Sequence, residues 1–218
     1  SEALVRRQRR VPWRIYRPGM VVGHSATGYI DKIDGPYYFF KMLQKLRRTI
    51  PQWMPLIGIE GGQINLVPVD YVARAMDHLA HLPGQDGQCF HLTDPRKRHV
   101  GEVLNLLAKA AHAPTMTLRL DSQVFAGIPR MVRAALVSIR PVNRIIDEIL
   151  NELGVPKSVM QLINYPTVFD CDRTQQLLAG TGIKVPPLED YAWRLWDYWE
   201  RHLDPDPLTD RSLSGKVR

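Results

Sequence analysis

Short β-branched runs alternate with longer runs of helical periodicity through the middle of the sequence. Residues 64–67 (INLV) precede a helical pattern that Asp70 is expected to cap, and residues 88–94 (QCFHLTD) precede another over 99–112. Strands that alternate with helices are typical of a parallel sheet that is covered on both faces. The sequence therefore predicts an α/β fold.

The flanking regions add further predicted elements. Residues 14–23 (RIYRPGMVVG) are typical of a strand that ends in a loop, and residues 37–50 predict a helix that begins near Pro36 and stops before Pro51. Residues 124–164 are predicted to be mainly helical, and 188–203 predict a helix whose three tryptophans pack on the body. In two of the helices the periodicity places these residues inward: Tyr38, Met42, Leu46, Val72, Ala73, Met76, Leu79 and Ala80.

Composition limits the classes of protein that this chain can belong to. Its 218 residues are 44% apolar, which is enough for a buried core, and its two cysteines form no CxxC pair. No apolar run is long enough to span a bilayer, so a cytoplasmic protein is expected. The net charge of +7 favours anionic partners. Nucleic acid is disfavoured, because the basic clusters at 6–10 and 130–144 lack interleaved stacking aromatics.

Three motifs in the sequence are candidates for a phosphate, metal or catalytic site. The glycines at 58–62 and 180–182 do not lie at a strand-to-helix turn, so neither group predicts a phosphate cradle. His78 and His81 lack a third suitably spaced ligand, and no metal site is predicted. Tyr37 and Lys41 have the YxxxK spacing of the dyad that short-chain dehydrogenases use for hydride transfer.

Four stretches together carry a family resemblance. RIYRPGMVVG, TGYIDKIDGPYYFF, INLVPVDYVARAM and CFHLTDP occur in this order over residues 1–203. In combination they resemble the C-terminal half of an extended short-chain dehydrogenase/reductase of the fatty acyl-CoA reductase and thioester reductase branch. The resemblance implies the C-terminal part of a Rossmann-type parallel sheet with a smaller, mainly helical substrate domain.

The resemblance also locates the catalytic groups. In such enzymes the catalytic YxxxK lies on the helix before the RIYRPG strand, and the glycine-rich loop lies further upstream. No catalytic residue is therefore expected in this chain, and Tyr37 and Lys41 are expected to belong to the core or to a pocket wall. The chain is expected to be a fragment that is inactive alone. Residues 204–218 are interpreted as a linker and the start of a second, fused short-chain dehydrogenase domain, because they end in LSGKVR.

The resemblance implies a nicotinamide cofactor, NADP with NAD as the alternative, held mainly by the N-terminal half that this chain lacks. In these enzymes the loop after the RIYRPG strand lies beside the nicotinamide. The residues implied in cofactor contact are Tyr16, Arg17, Pro18, Gly19 and Met20. Those expected to contact substrate are His24, Ser25, Tyr37 and Tyr38.

The implied function is the reduction of fatty acyl-CoA or another acyl thioester to aldehyde or alcohol in lipid metabolism. Two alternatives stay open: a nucleotide-sugar epimerase or dehydratase of the same fold, and a non-catalytic module that binds lipid or another protein. The cationic, apolar segment 125–153 is expected to cover a lipid tail, to contact coenzyme A phosphates, or to touch an anionic membrane surface. The expected location is thus cytoplasmic, with peripheral membrane association as an option.

Overall fold

A computed structural model of the chain describes residues 2–8, 10–120 and 168–204. The predicted helical region 124–164, with the segment 125–153 and the basic cluster 130–144, lies outside the described residues, and so do residues 205–218. None of the helices in the described part of the chain is long and apolar enough to cross a membrane.

The described elements alternate as the sequence predicts. The strands are β1 (Arg14–Pro18), β2 (Met20–Val22), β3 (Leu56–Ile59), β4 (Gln63–Ile64), β5 (Leu66–Pro68), β6 (Gln88–Leu92), β7 (Arg98–His99) and β8 (Met116–Leu120). The α-helices are α1 (Glu2–Arg7), α2 (Tyr38–Thr49), α3 (Val69–His81), α4 (Val100–Ala110), α5 (Asp172–Leu178) and α6 (Leu188–Tyr198). A 3₁₀ turn (Gly35–Tyr37) precedes α2, and a π-helical turn (Trp199–Leu203) follows α6.

The pairing of the strands is mostly parallel. Strand β1 pairs with β6, β2 with β5 and β3 with β8, all in parallel, which confirms the predicted α/β class. Strands β4 and β7 pair antiparallel, a short exception to the predicted parallel arrangement. The chain turns just after β6, where the Asp94 carboxylate accepts a hydrogen bond from the Arg96 backbone N–H at 3.0 Å. Such side-chain-to-backbone turns redirect a chain within a few residues.

The chain changes partner strand at Gly19. The Gly19 N–H donates to the Leu92 carbonyl beyond the β1–β6 ladder, and the Met20 N–H donates to the Asn65 carbonyl at 2.8 Å. A Cβ on residue 19 would lie 2.7 Å from Asn65 Oδ1 and 2.9 Å from Asn65 O. Only glycine therefore allows the end of β1 to approach Asn65 this closely.

The buried faces of two helices differ from the expected ones. In α2, Phe39, Phe40, Leu43, Gln44 and Leu46 are buried, whereas Tyr38 and Met42 are only half-buried. In α3, Tyr71, Val72, Ala75 and Leu79 face inward, and the predictions for Ala73, Met76 and Ala80 are wrong because these side chains are exposed. Ala73, Met76 and Ala80 also recur at helical spacing, but the face of α3 that turns inward is the one that carries the large Tyr71 ring.

Two hydrophobic clusters support the strands. The first lies among α2, α4 and α6 and contains the rings of Tyr37, Phe40, Trp196 and Trp199. The second joins the β1–β6 pair to α3 and α5; its members include Tyr71, Leu79, Phe90, Leu92 and Leu178. The expectation that all three tryptophans of α6 and its π-helical extension pack inward is wrong for Trp193. This ring is 52% exposed and stacks under the Arg194 guanidinium at 4.5 Å.

Candidate functional site

The candidate site lies at the carboxyl ends of β1 and β6. In parallel α/β sheets, ligands bind in the crevice outside the carboxyl ends of the strands. The Asn65 amide defines this edge, since its Nδ2 donates to the Asp94 carbonyl and its Oδ1 accepts from the Asp94 N–H, both at 2.8 Å. Asn65 thus joins the end of β6 to the close approach at Gly19, so three chain segments meet here.

A small, open groove lies beside Asn65. Apolar groups form part of its lining, and Val168 and Phe169 are 52% and 44% exposed. Amide and cationic side chains supply the rest. The lining residues are Gln63, Ile64, Asn65, Asp94, Pro95, Lys97, Arg98, Val168 and Phe169. The groove thus presents apolar surface beside amide, carboxylate and cationic groups.

The charges around the groove are largely balanced within the protein. The Asp94 carboxylate accepts from Arg96 Nε at 2.8 Å, and Arg98 pairs with Glu102 and, at 2.7 Å, with Glu189. Burial lowers the pKa of Arg98, but the two carboxylates raise it to a net value above its ordinary one. Lys97 is exposed and contributes a positive charge at the groove.

The residues implied in cofactor contact occupy one strand and its end. Pro18 is exposed at the carboxyl end of β1, and Gly19 and Met20 follow it, half-buried. The Arg17 guanidinium donates from Nε and Nη2 to the Glu2 carboxylate at 3.1 and 2.5 Å. The Tyr16 ring stacks on Phe90 at 5.8 Å. At the strand end Gly19 and Met20 adjoin Asn65, which lines the groove, whereas the side chains of Tyr16 and Arg17 are held by neighbouring elements.

The predicted substrate residues His24 and Ser25 lie in the loop after β2. The Ser25 N–H and Oγ–H donate to Oδ1 and Oδ2 of Asp70 at 2.8 and 2.7 Å. The expectation that Asp70 caps its helix is wrong, because α3 begins at Val69 and Pro68 occupies the N-cap position. Burial raises the pKa of Asp70, but the two Ser25 donors, together with the Asp70 backbone N–H and the nearby His24, lower it, so that the pKa lies below its ordinary value. The Nδ1 atom of His24 accepts from the Ala26 N–H at 3.1 Å.

Tyr37 and Lys41 are held by different groups. The Tyr37 side chain is 1% exposed, its hydroxyl accepts from the Gly23 N–H at 2.9 Å, and burial raises its pKa to about 12. The Lys41 ammonium pairs with Asp204 at 2.9 Å. Tyr37 therefore serves the core, and Tyr38 is half-buried beside it. A buried phenol with a raised pKa does not fit a proton-transfer role.

Replacing Tyr37 by phenylalanine is expected to lower the free energy of unfolding by about 1–3 kcal/mol, because the buried Gly23 N–H loses its acceptor. Urea denaturation of the purified chain measures this change. Tyr38→Phe serves as the matched control and is expected to change stability by less than about 0.5 kcal/mol. Equal stability of the Tyr37→Phe protein and the unsubstituted protein would contradict the assignment of this hydroxyl to the core.

Sequence reasoning missed several groups of the groove. Asn65 was treated as part of a continuous strand, although an amide inside a β-branched run was a signal of a special role. Asp94 is the last residue of the predicted strand 88–94 and Lys97 follows it, at the strand end where ligand-binding side chains of α/β proteins gather. Phe169 reaches the groove from a distant part of the chain, and no local pattern indicates this. Within residues 2–8, 10–120 and 168–204, no three His, Cys, Asp or Glu side chains cluster as a metal site would require.

A family profile matches the N-terminal third of the chain. Residues 1–76 match the sequence profile of an NAD-binding family described as Male sterility protein. The matched range contains β1, its end at Pro18–Met20, and the first turn of α3. It thus includes the strand end and Asn65, where the crevice begins.

Longer similarities connect the chain to reductases and peptide synthetases. It is 33% identical over 105 residues to the nonribosomal peptide synthetase hkm10 of Aspergillus hancockii, covering 47% of this chain and 10% of the synthetase. It is 25% identical over 184 residues to the aldehyde reductase lnbA of Aspergillus flavus, covering 82% of this chain and 17% of that protein. The chain thus spans less than a fifth of these curated relatives.

A solved structure shares the fold. The terminal R domain from the myxalamid PKS-NRPS biosynthetic pathway superposes with a TM-score of 0.57 at 25% identity, over 92% of this chain and 48% of that domain. The Rossmann-like α/β fold implied by the resemblance is confirmed. The chain corresponds to about half of the length of that solved structure.

Proposed function

We propose that this chain is the C-terminal, substrate-binding half of an NAD(P)H-dependent reductase of acyl thioesters, with fatty acyl-CoA as the substrate class. The observation that carries the proposal is the groove at the carboxyl ends of β1 and β6, which combines exposed apolar side chains with amides and a lysine. The similarity of residues 1–76 to an NAD-binding family and the similarity to an aldehyde reductase support it.

The end of β1 fits a nicotinamide ring. Pro18 is exposed there and Met20 is half-buried beside it, so the strand end offers an apolar wall. The charge of Arg17, next to this wall, is balanced by the Glu2 carboxylate. An uncharged, apolar surface suits the flat ring of the cofactor, and NADP is proposed with NAD as the alternative. Pro18, Gly19 and Met20 would form the contact, with Tyr16 and Arg17 supporting the strand behind them.

The groove would hold the thioester. Ile64, Val168 and Phe169 provide apolar surface for an acyl chain, and Lys97 lies where it can pair with a phosphate of coenzyme A. The Gln63 side chain offers hydrogen bonds to the amides of a pantetheine arm. When bound, the reduced nicotinamide supplies a hydride to the thioester carbon and the C–S bond breaks, so that aldehyde, thiol and oxidised cofactor result once the thiolate takes up a proton.

The proton donor is proposed to lie outside this chain. Tyr37 is buried with a pKa near 12, and its hydroxyl is engaged by Gly23. Lys41 is paired with Asp204 rather than with this phenol. We therefore retain the interpretation that the catalytic YxxxK and the glycine-rich loop belong to a preceding half, and that the 218-residue chain is inactive alone. Residues 1–203 would then be the C-terminal portion of one reductase domain, and 204–218 would lead to a fused second one.

The full-length protein is expected to oxidise NADPH when acyl-CoA is supplied and to leave nucleotide sugars unchanged. The 218-residue chain alone is expected to act on neither substrate. A spectrophotometric assay of NADPH consumption with both substrate classes measures this. Faster turnover of a nucleotide sugar would support the epimerase-type alternative, and no turnover of either would support a non-catalytic module. Activity of the isolated chain would contradict the assignment of the catalytic groups to a preceding half.

The groove itself is tested by Phe169→Ser in the full-length protein. Removing the apolar ring is expected to raise the KM for a long-chain acyl-CoA about tenfold while changing the KM for a two-carbon acyl-CoA little, because a buried aromatic contact contributes roughly 1.5–3 kcal/mol. Trp53→Ser is the matched control, because Trp53 is 80% exposed and does not line the groove. An equal change in the KM for both acyl chain lengths would contradict the placement of Phe169 in the acyl site.

A further inference from the structure

The loop of residues 23–29 follows β2 directly and is held by three separate elements. Tyr37 accepts from the Gly23 N–H, the carboxylate of Asp70 accepts twice from Ser25, and the backbone at Gly28 packs on the Arg194 carbonyl. We propose that Asp70 is a positioning residue, which fixes this loop through Ser25 so that His24 is presented to the acyl thioester. This inference rests on the proposed function.

The register of the strands explains why Asp70 reaches the loop. Strand β2 pairs in parallel with β5 from Met20↔Leu66 to Val22↔Pro68, so both strands end at the same edge. The chain after β2 turns into the loop, and the chain after β5 enters the first turn of α3, where Asp70 lies. The carboxylate therefore meets the Ser25 N–H and Oγ–H side by side, at 2.8 and 2.7 Å.

Both oxygens of the carboxylate are used in this contact. Hydrogen bonds to an ionised acceptor are about twice as strong as neutral ones, and two parallel bonds also define an orientation. The lowered pKa of Asp70 agrees with a carboxylate that stays ionised in this contact. Ser25, which the sequence resemblance implied in substrate contact, thus donates its hydroxyl hydrogen within the protein.

The contact orders the residue next to Ser25. The His24 N–H donates to the Tyr29 carbonyl at 2.9 Å, and the His24 carbonyl accepts from the Gly28 N–H at 2.7 Å. The Nδ1 atom of the ring accepts from the Ala26 N–H at 3.1 Å, so in the neutral ring the hydrogen is on Nε2. With the loop fixed, this Nε2–H is a donor suited to a thioester carbonyl or a pantetheine amide.

Kinetics of the full-length reductase test the role of Asp70. Asp70→Ala removes both hydrogen bonds and is expected to raise the KM for acyl-CoA on the order of tenfold, whereas Ser25→Ala keeps the backbone N–H bond and is expected to raise it by a smaller factor. Both are expected to leave the KM for NADPH within about twofold, since the loop is proposed to face the substrate. The double variant is expected to be no worse than Asp70→Ala, because Asp70→Ala already removes both bonds to Ser25. Ser25→Thr keeps the hydroxyl and is expected to restore the acyl-CoA KM.

The matched control is Asp77→Ala, which removes an exposed carboxylate from the same helix and is expected to leave both KM values unchanged. An unchanged acyl-CoA KM in Asp70→Ala, or effects that multiply in the double variant, would overturn the positioning role. Hydrogen exchange of the Ser25 amide tests the positioning role of Asp70 separately from the proposed function. Faster exchange in Asp70→Ala supports the clamp even if the protein reduces no thioester, and unchanged exchange overturns it.

Discussion

Gly28→Ala is expected to lower the free energy of unfolding by about 2–6 kcal/mol, because strain and overpacking each contribute about 1–3 kcal/mol. The backbone of Gly28 has φ +73°, a conformation that residues with a side chain rarely adopt. A Cβ there would overlap the Arg194 carbonyl oxygen and lie 2.8 Å from Tyr198 Cβ. Because the obstacle is helix backbone, it cannot rotate away as a side chain can.

Gly84→Ala is the control for Gly28→Ala. Gly84 also has φ +73°, but a Cβ there would meet nothing within 4 Å. Replacing Gly84 by alanine is expected to lower the free energy of unfolding by only about 1–2 kcal/mol, the cost of the left-handed backbone conformation alone. Urea denaturation of both variants therefore isolates the cost of the contact with α6. Equal losses of stability in the two variants would contradict the close packing of the loop 23–29 on α6.

Trp199→Ala is expected to destabilise the protein by about 3–5 kcal/mol, since it empties a large volume in the first cluster. The Trp199 side chain is 2% exposed, and its ring lies 5.2 Å from that of Trp196 and 5.6 Å from that of Phe40. The ring thus joins the π-helical turn after α6 to α2. Equilibrium unfolding in urea, followed by circular dichroism, measures the loss.

Trp53→Ala provides the comparison for Trp199→Ala. Trp53 is 80% exposed, and its removal is expected to change stability by less than about 0.5 kcal/mol. Both substitutions remove one indole from the same chain, so the difference between them reports burial. A Trp199→Ala protein as stable as the Trp53→Ala protein would contradict the packing of the first cluster.

Local features of the fold could be predicted from the sequence because they depend on neighbouring residues. The strand over 14–18 and the helices after 36 and 68 follow from periodicity, proline and β-branched residues. The antiparallel pairing of Gln63–Ile64 with Arg98–His99 could not be predicted from the sequence, because it depends on contacts between segments that are more than thirty residues apart. The change of partner strand at Gly19 could not be predicted either, because it depends on the close approach of Asn65, which is distant in the sequence.

The candidate site was only partly predictable for a related reason. The resemblance implied cofactor contact at the end of β1, where Gly19 and Met20 adjoin Asn65 of the groove, and that contact stays a prediction. Asp70 looked like a helix cap because a carboxylate at the start of a helix commonly has that role. Its partner is Ser25, 45 positions away in the sequence, and only the pairing of β2 with β5 brings the two together.

Transfer of deuterium tests the central claim, that an acyl thioester is reduced by a nicotinamide cofactor in this crevice. The full-length protein is given NADPH that carries deuterium at both positions of nicotinamide C4, together with a fatty acyl-CoA, and the products are analysed by mass spectrometry. The account predicts an aldehyde with one deuterium on C1, or an alcohol with two if reduction continues. Formation of free fatty acid, or no conversion of the thioester, would contradict it.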